Sequence, residues 1–150
     1  MNRRKFLASV GAVGAAALAG CYEGTPSGKF KLTGIGLVER NASVASFVEV
    51  ENITESNQDF RGFLAPYSDD GVRLSEWEGV ETGRDSPVRP GRKIRLYVPY
   101  QAGDHHWFDS NEVGQVVDAY TARFRFMNSD ADPAGEDYSQ DDVGDVITKP

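Results

Sequence analysis

From Phe30 onward the apolar side chains recur with period two, and that period constrains the fold more than any other feature of the chain. Tyr120, Ala122, Phe124 and Phe126 alternate with Thr121, Arg123 and Arg125. Ile94, Leu96 and Val98 alternate with Lys93, Arg95 and Tyr97, while Val44, Val48 and Val50 alternate with Ala45, Glu49 and Glu51. Successive side chains of a strand point to opposite faces, so each run turns one face to a core and the other to water. Phe30 to Val38, Phe60 to Tyr67 and Val72 to Trp77 complete the expected strands. Asp69-Asp70-Gly71 marks a hairpin and Pro90-Gly91 a turn before Ile94. Pro66 cannot donate to a ladder, which predicts an edge or a bulge at that point. Only Ser110 to Asp118 reads as helical. Short strands separated by turns, with so little helix, predict an all-β chain folded as an antiparallel β-sandwich.

The segment before these strands reads as an address. Asn2 to Leu7 is a charged stretch containing Arg3, Arg4 and Lys5, followed by an Ala/Gly-rich apolar run to Ala19. That run is too short for a hydrocarbon core of about 30 Å, which needs roughly 20 apolar residues. It reads instead as a signal peptide over residues 1–20. Arg3-Arg4 with Phe6 and Leu7 resembles a twin-arginine (Tat) export signal. Leu18-Ala19-Gly20-Cys21 looks like a lipobox, with small residues before the cysteine that receives lipid. Cys21 is the only cysteine, so lipidation would leave no thiol for redox or metal chemistry. Two acyl chains hold a protein stably where one is marginal. Residues 21–29 form a polar Gly/Pro/Ser-containing tether, which would place the folded part just off the outer face of the membrane.

Phe47-Val48-Glu49-Val50-Glu51-Asn52, Asp59-Phe60-Arg61-Gly62-Phe63 running on to Tyr67-Ser68-Asp69-Asp70-Gly71, and Pro90-Gly91 before Ile94-Arg95-Leu96-Tyr97-Val98 form a recognisable series. It resembles the FxLYD group of immunoglobulin-like domains, in which one strand ends at an Asn and a Pro-Gly turn opens a later strand. Ala65-Pro66-Tyr67-Ser68-Asp69 stands where that pattern has Leu-Tyr-Asp. The resemblance implies an immunoglobulin-like sandwich of about seven strands over residues 30–127. It implies exported lipoproteins of salt-loving archaea, and it carries no catalytic residue and no cofactor.

Charge describes the surroundings. The chain has a net charge of −7, and with the basic signal removed residues 21–150 carry −10. Such a balance disfavours nucleic acid, whose binding relies on Lys and Arg neutralising phosphates. It suits concentrated salt, where the Debye length shrinks to about 3 Å at 1 M. Asn128 to Asp145 holds seven acids and no base, so residues 128–150 are expected to form a solvated acidic tail, with Val146-Ile147 returning to the sheet. Asp130, Asp132 and Asp141 partly match a calcium-loop spacing, which fails at Ala134 in the fifth position.

Candidate chemistry is sparse. His105 and His106 are the only histidines and would point to opposite faces of a strand, so no metal site is expected from them. No Gly-x-Ser-x-Gly elbow and no phosphate loop is present. Glu49 and Glu51 share a face, as suits either a solvated surface or glycoside hydrolysis. Arg84, Arg89, Arg92, Lys93 and Arg95 form the one basic stretch, with Arg123 and Arg125 on a strand that could neighbour it. Arg89, Arg92 and Arg95 could bind anionic glycans or headgroups, or pair across strands with Glu49 and Glu51. Trp77, Trp107, Tyr97 and Tyr100 could form a sugar-stacking platform, or could seal the ends of a core. Asn41-Ala42-Ser43 and Asn52-Ile53-Thr54 match the glycosylation acceptor pattern. The sequence thus predicts an exported, lipid-anchored, non-catalytic module that meets the membrane through Cys21 and a cell-surface protein or glycan through its sandwich. An accessory subunit of a transport or respiratory complex and a small carbohydrate-active enzyme are the alternatives.

Overall fold

The computed structural model describes residues 29–83, 85–101 and 107–149. The export signal, the lipobox with Cys21, Arg84, His105 and His106 lie outside the described residues. Among the described residues eight strands form two antiparallel four-stranded sheets that pack face to face as a β-sandwich. They are β1 (Phe30–Arg40), β2 (Ser43–Asn52), β3 (Arg61–Tyr67), β4 (Glu78–Glu81), β5 (Lys93–Tyr100), β6 (Thr121–Met127), β7 (Pro133–Tyr138) and β8 (Val146–Ile147). The first sheet runs β5-β2-β1-β8 and the second β4-β3-β6-β7. A 3₁₀ turn at Ser110–Glu112 leads into one short helix, α1 (Val113–Ala119). Among the described residues no helix is long and apolar enough to cross a membrane.

The alternation expected from sequence sets the core. Val44, Val48, Val50 and Val98 face inward from the first sheet, and Leu64, Ala122, Phe124 and Phe126 from the second. Phe60 sits at the centre, stacked on Phe124 at 5.0 Å between ring centroids and edge-on to Phe30 of the other sheet at 4.9 Å. Offset and edge-on ring pairs add about 0.5–1.5 kcal/mol beyond area burial, so this contact is a strong tie between the sheets. Gly62 makes the close approach of β3 and β6 possible: a Cβ there would overlap the Phe124 ring and lie 2.5 Å from the Arg125 carbonyl oxygen.

Two turns form as expected. Gly71, at φ +84°, closes a hairpin whose Gly71 N–H donates to the Ser68 carbonyl. Gly91, at φ +75°, follows Pro90 in a turn closed by the Arg92 N–H on the Arg89 carbonyl. A third turn, between β1 and β2, puts Asn41 and Ala42 at φ +51° and +61°. Positive φ at both central residues is the type I′ form of a two-residue hairpin, for which Asn-Gly is the usual pair, and Ala42 hides that signal.

Two expectations are corrected. The segment Val72 to Trp77 is not a strand; it makes a single bridge, Arg73 opposite Tyr67. Pro66 explains why. Its carbonyl accepts from the Leu74 N–H, but with no N–H of its own it cannot complete the ladder on that side, and pairing resumes only at Glu78 opposite Leu64. The strand that holds Pro66 is an inner one, not an edge; the irregularity lies on its β4 side, where the chain pairs at Arg73 and Leu74 and then leaves the ladder until Glu78. Second, residues 128–149 are not a solvated tail. Their β7 pairs with β6, their β8 pairs with β1 at Phe30 and Lys31, and Tyr138, Asp142, Asp145 and Ile147 are buried. The sandwich therefore extends through Ile147, which is why it has eight strands rather than about seven. Asp130 and Asp141, whose calcium-loop spacing already fails at Ala134, are separated by β7.

Candidate functional site

The charges on the strands balance. Lys31, Arg40, Arg61, Lys93, Arg95, Arg123 and Arg125 stand against Glu39, Glu49, Glu51, Glu78, Glu81, Glu136 and Asp137. The described strands thus contribute nothing to the −10 of residues 21–150, and the two outer sheet faces are balanced regions in an acidic molecule.

On the first sheet, Phe47 lies over Gly34 and Gly36 of β1, where an added Cβ would meet its ring at 3.2 and 3.6 Å. The Arg95 guanidinium covers that ring at 4.4 Å, and Arg40 covers Tyr97 at 3.8 Å. Arg95 and Glu49 are register partners, and Arg95 Nε donates to Glu49 Oε2 at 3.2 Å. Thr33, at the register shift in β1, donates to the other Glu49 oxygen at 3.0 Å. Partial burial pulls the Arg95 guanidinium down, yet its contacts with Tyr97 and Glu49 outweigh this and hold it above the ordinary arginine value. Lys93 stands opposite Glu51 in register. Of the expected anion patch, Arg95 is therefore engaged across strands with Glu49, while Arg89 and Arg92 are exposed at the Pro90-Gly91 turn.

Arg123 and Arg125 do not join that patch. They lie on β6, in the other sheet. With Phe124 and Phe126 in the core, both arginines face outward, opposite Ala65 and Phe63 of β3. Arg123 stacks on Tyr67 at 4.2 Å. Arg125 lies 5.1 Å and Arg73 5.8 Å from the ring of Trp77, which sits 6.0 Å from Tyr67. Asp137 of β7 accepts from Arg123 Nη1 at 3.5 Å and from Arg125 Nε. One carboxylate thus serves two guanidiniums, and Arg73 has no carboxylate partner among the described residues. Tyr67 is covered, whereas Trp77 and both arginine side chains are only partly so, at 31% and 36% exposure for Arg123 and Arg125.

The four aromatics read from sequence as either a platform or seals of the core separate into three places. Tyr97 lies on the first outer face and Trp77 on the second. Trp107 and Tyr100 meet at 5.5 Å, with Phe108 and Tyr120 also against Trp107, in the cluster that plugs one end of the core beside α1. Tyr100 Oη and Ser46 Oγ share a 2.7 Å hydrogen bond. Burial pushes the Tyr100 phenol well above its ordinary range, the Ser46 bond pulls it back, and the Glu78 carboxylate adds to the rise.

The two acceptor sequences also part company. Asn41 is exposed at the β1–β2 turn. Asn52 is fully buried at the end of β2, and its Nδ2 donates to the carbonyls of Ser56 and Val88, each at 2.8 Å. Its Oδ1 accepts from the Thr54 N–H and hydroxyl. Asn52 is thus a clamp between two loops and, contrary to expectation, not an accessible acceptor in the folded chain. Among the described residues no group of three or more His, Cys, Asp or Glu could hold a metal ion.

Sequence reasoning missed Tyr67, Arg73 and Asp137 as members of the second face. The alternation of Arg123 and Arg125 with Phe124 and Phe126 did place both arginines outward. Nothing local pointed to Asp137, whose segment reads by composition as a tail. No family model, no curated protein and no solved structure matches the chain.

Proposed function

We propose that this chain is an exported, lipid-anchored cell-surface protein whose immunoglobulin-like sandwich is a non-catalytic binding module. The observation that carries this reading is the second outer face, where Arg73, Arg123 and Arg125 gather on Trp77 and Tyr67 with one carboxylate, Asp137, among them. A guanidinium stacked by its face keeps in-plane N–H donors for a partner, since each has five. The FxLYD-like, immunoglobulin-like reading is supported by the Asn52 clamp at a strand end, the Gly71 hairpin and the Pro90-Gly91 turn before β5. Cys21 is the anchor, behind the lipobox Leu18-Ala19-Gly20 and the Tat-type Arg3-Arg4 signal. Acid concentrated outside the strands suits a salt-rich exterior, where screening relieves self-repulsion.

Membrane fractionation and binding to a glycan array test this together. Cys21→Ser moves the protein to the soluble fraction, Arg3→Lys with Arg4→Lys retains it in the cell, and the full chain is held on acidic glycans without releasing product. Retention of Cys21→Ser in the membrane overturns the anchor. Released product favours a carbohydrate-active enzyme, and stoichiometric partners extracted with the protein from membranes favour an accessory subunit.

A further inference from the structure

Resting on the binding-module reading, we propose that the outer face of the second sheet binds acidic polysaccharide, a chain of sugars bearing carboxylate or sulfate groups, across the strands from Trp77 to Arg125. Three features of the face favour this ligand. The first is unspent donor capacity. Arg123 gives Nη1 and Arg125 gives Nε to Asp137, so each keeps further N–H groups in the guanidinium plane, suited to bidentate capture of carboxylate or sulfate. Arg73 is exposed, with its guanidinium 5.8 Å from the Trp77 ring and no carboxylate partner among the described residues.

The second is the alternation of flat ring and cation. Arg73 and Arg125 both lie within 6 Å of the Trp77 ring, at 5.8 and 5.1 Å, and Arg123 lies over Tyr67, so apolar ring surface and charge are interleaved on this face. A polysaccharide offers the matching alternation of sugar ring and charged substituent, and an indole is the strongest aromatic partner for such stacking and cation contacts. The aromatic segment exists because Pro66 interrupts the ladder: freed from pairing between Leu74 and Glu78, the chain carries Trp77 onto the outside of the sheet.

The third is what fences the face. The hairpin at Asp69 and Asp70 stands beyond the Tyr67 end of β3, and the turn at Asp130 and Asp132 beyond the Met127 end of β6; these are opposite ends of the paired strands. A flat anionic membrane would have to approach both acidic turns at once. A thread lying across the strands runs between the two turns and meets the Asp69-Asp70-Gly71 hairpin where Arg73 pairs with Tyr67 and Arg123 stands against Gly71, so cations face it there. On the first outer face Glu49 accepts from both Arg95 and Thr33 and Glu51 stands opposite Lys93, leaving Arg40 over Tyr97 without a carboxylate partner among the described residues, so the surplus there is smaller.

The experiment titrates the full chain with dextran sulfate and polygalacturonate, reading affinity by calorimetry. Neutral dextran, polyglutamate and phosphatidylglycerol vesicles are run beside them. Saturable binding to the two acidic polysaccharides is expected, weakened about tenfold by Trp77→Ala and by the structurally mild Arg73→Gln, and unchanged by Arg95→Gln on the opposite face. Equal or tighter binding to polyglutamate or to the vesicles overturns the polysaccharide assignment, as does equal binding to neutral dextran. Wild-type affinity in both Trp77→Ala and Arg73→Gln, or a loss only in Arg95→Gln, overturns the site. Absence of binding to either acidic polymer overturns the ligand class while leaving the glycan-array and fractionation results to decide the module reading. Cleavage of a bound polymer leaves this site standing and overturns the non-catalytic reading.

Discussion

The two outer faces of the sandwich use the same materials to different ends. On both, arginines lie over aromatic rings: Arg95 on Phe47 and Arg40 on Tyr97 in one sheet, Arg123 on Tyr67 and Arg125 near Trp77 in the other. The first is closed by register. Glu49 sits directly opposite Arg95 and also takes the Thr33 hydroxyl, and glycines beneath Phe47 let the ring lie flat. The second is opened by an interruption. Pro66 stops the ladder, Trp77 emerges, and a single carboxylate is shared by two arginines. The first face thus holds two arginines with Glu49 on one of them, whereas the second gathers three around one carboxylate, Asp137.

Substitutions at glycine give the largest contrast between the sheets. Gly62→Ala forces a Cβ against the Phe124 ring and the Arg125 carbonyl, and it should lower stability by about 3 kcal/mol. Gly36→Ala, whose nearest neighbour is the Phe47 ring at an ordinary 3.6 Å, should change stability by less than about 1 kcal/mol. Urea denaturation of both variants checks the pair, and equal losses would break the distinction between a tight and a relaxed sheet.

Alkaline pH probes the end of the core that neither face reaches. The Tyr100 phenol is raised by burial, so the folded state holds its proton more tightly than the unfolded chain does. Its contribution is fully present below the unfolded tyrosine value of about 10 and is lost as pH rises through the higher folded value. Denaturation midpoints should therefore fall above about pH 10, with a shallower fall in Tyr100→Phe. An identical alkaline limb in that variant would remove Tyr100 from the explanation.

Charge removal separates the faces by function rather than stability. Asp137→Asn and Glu49→Gln should each lower stability by about 1 kcal/mol or less, since their partners are roughly a third exposed and screened by water. Their effects on dextran sulfate binding should differ. Asp137→Asn leaves its two arginines uncompensated and tightens binding, while Glu49→Gln leaves it unchanged. An effect of opposite sign belongs to the β1–β2 turn, where Ala42→Gly relieves a positive φ and should stabilise by a few tenths up to about 1 kcal/mol in thermal unfolding.

Much of the sandwich was legible because burial follows alternation: Ala122, Phe124 and Phe126 faced the core as their spacing required, and Gly71 and Gly91 took the turns their neighbours implied. The helical segment and the return of Val146-Ile147 to the sheet were legible too. Elsewhere long-range pairing overrode composition. Residues 128–149 looked like a tail because acids dominate the count, yet Tyr138 and Ile147 anchor them, and exposed turns absorb Asp130, Asp132 and Asp141. Arg123 and Arg125 faced outward as alternation required, but which sheet held them depended on the crossing between β5 and β6, which period two cannot encode. Asn52 matched an acceptor triplet by its local sequence, while the carbonyl that fixes its role, Val88, lies far along the chain.

Nuclear magnetic resonance of the side-chain arginine and indole N–H signals, followed as dextran sulfate is added to the full chain, compares the two faces in one sample. Arg123 and Arg125 Nε and the Trp77 indole should shift together and saturate, while Arg95 Nε stays in place. Shifts centred on Arg95 and Arg40, or spread evenly over every exposed arginine, would contradict the assignment of the second sheet as the binding surface.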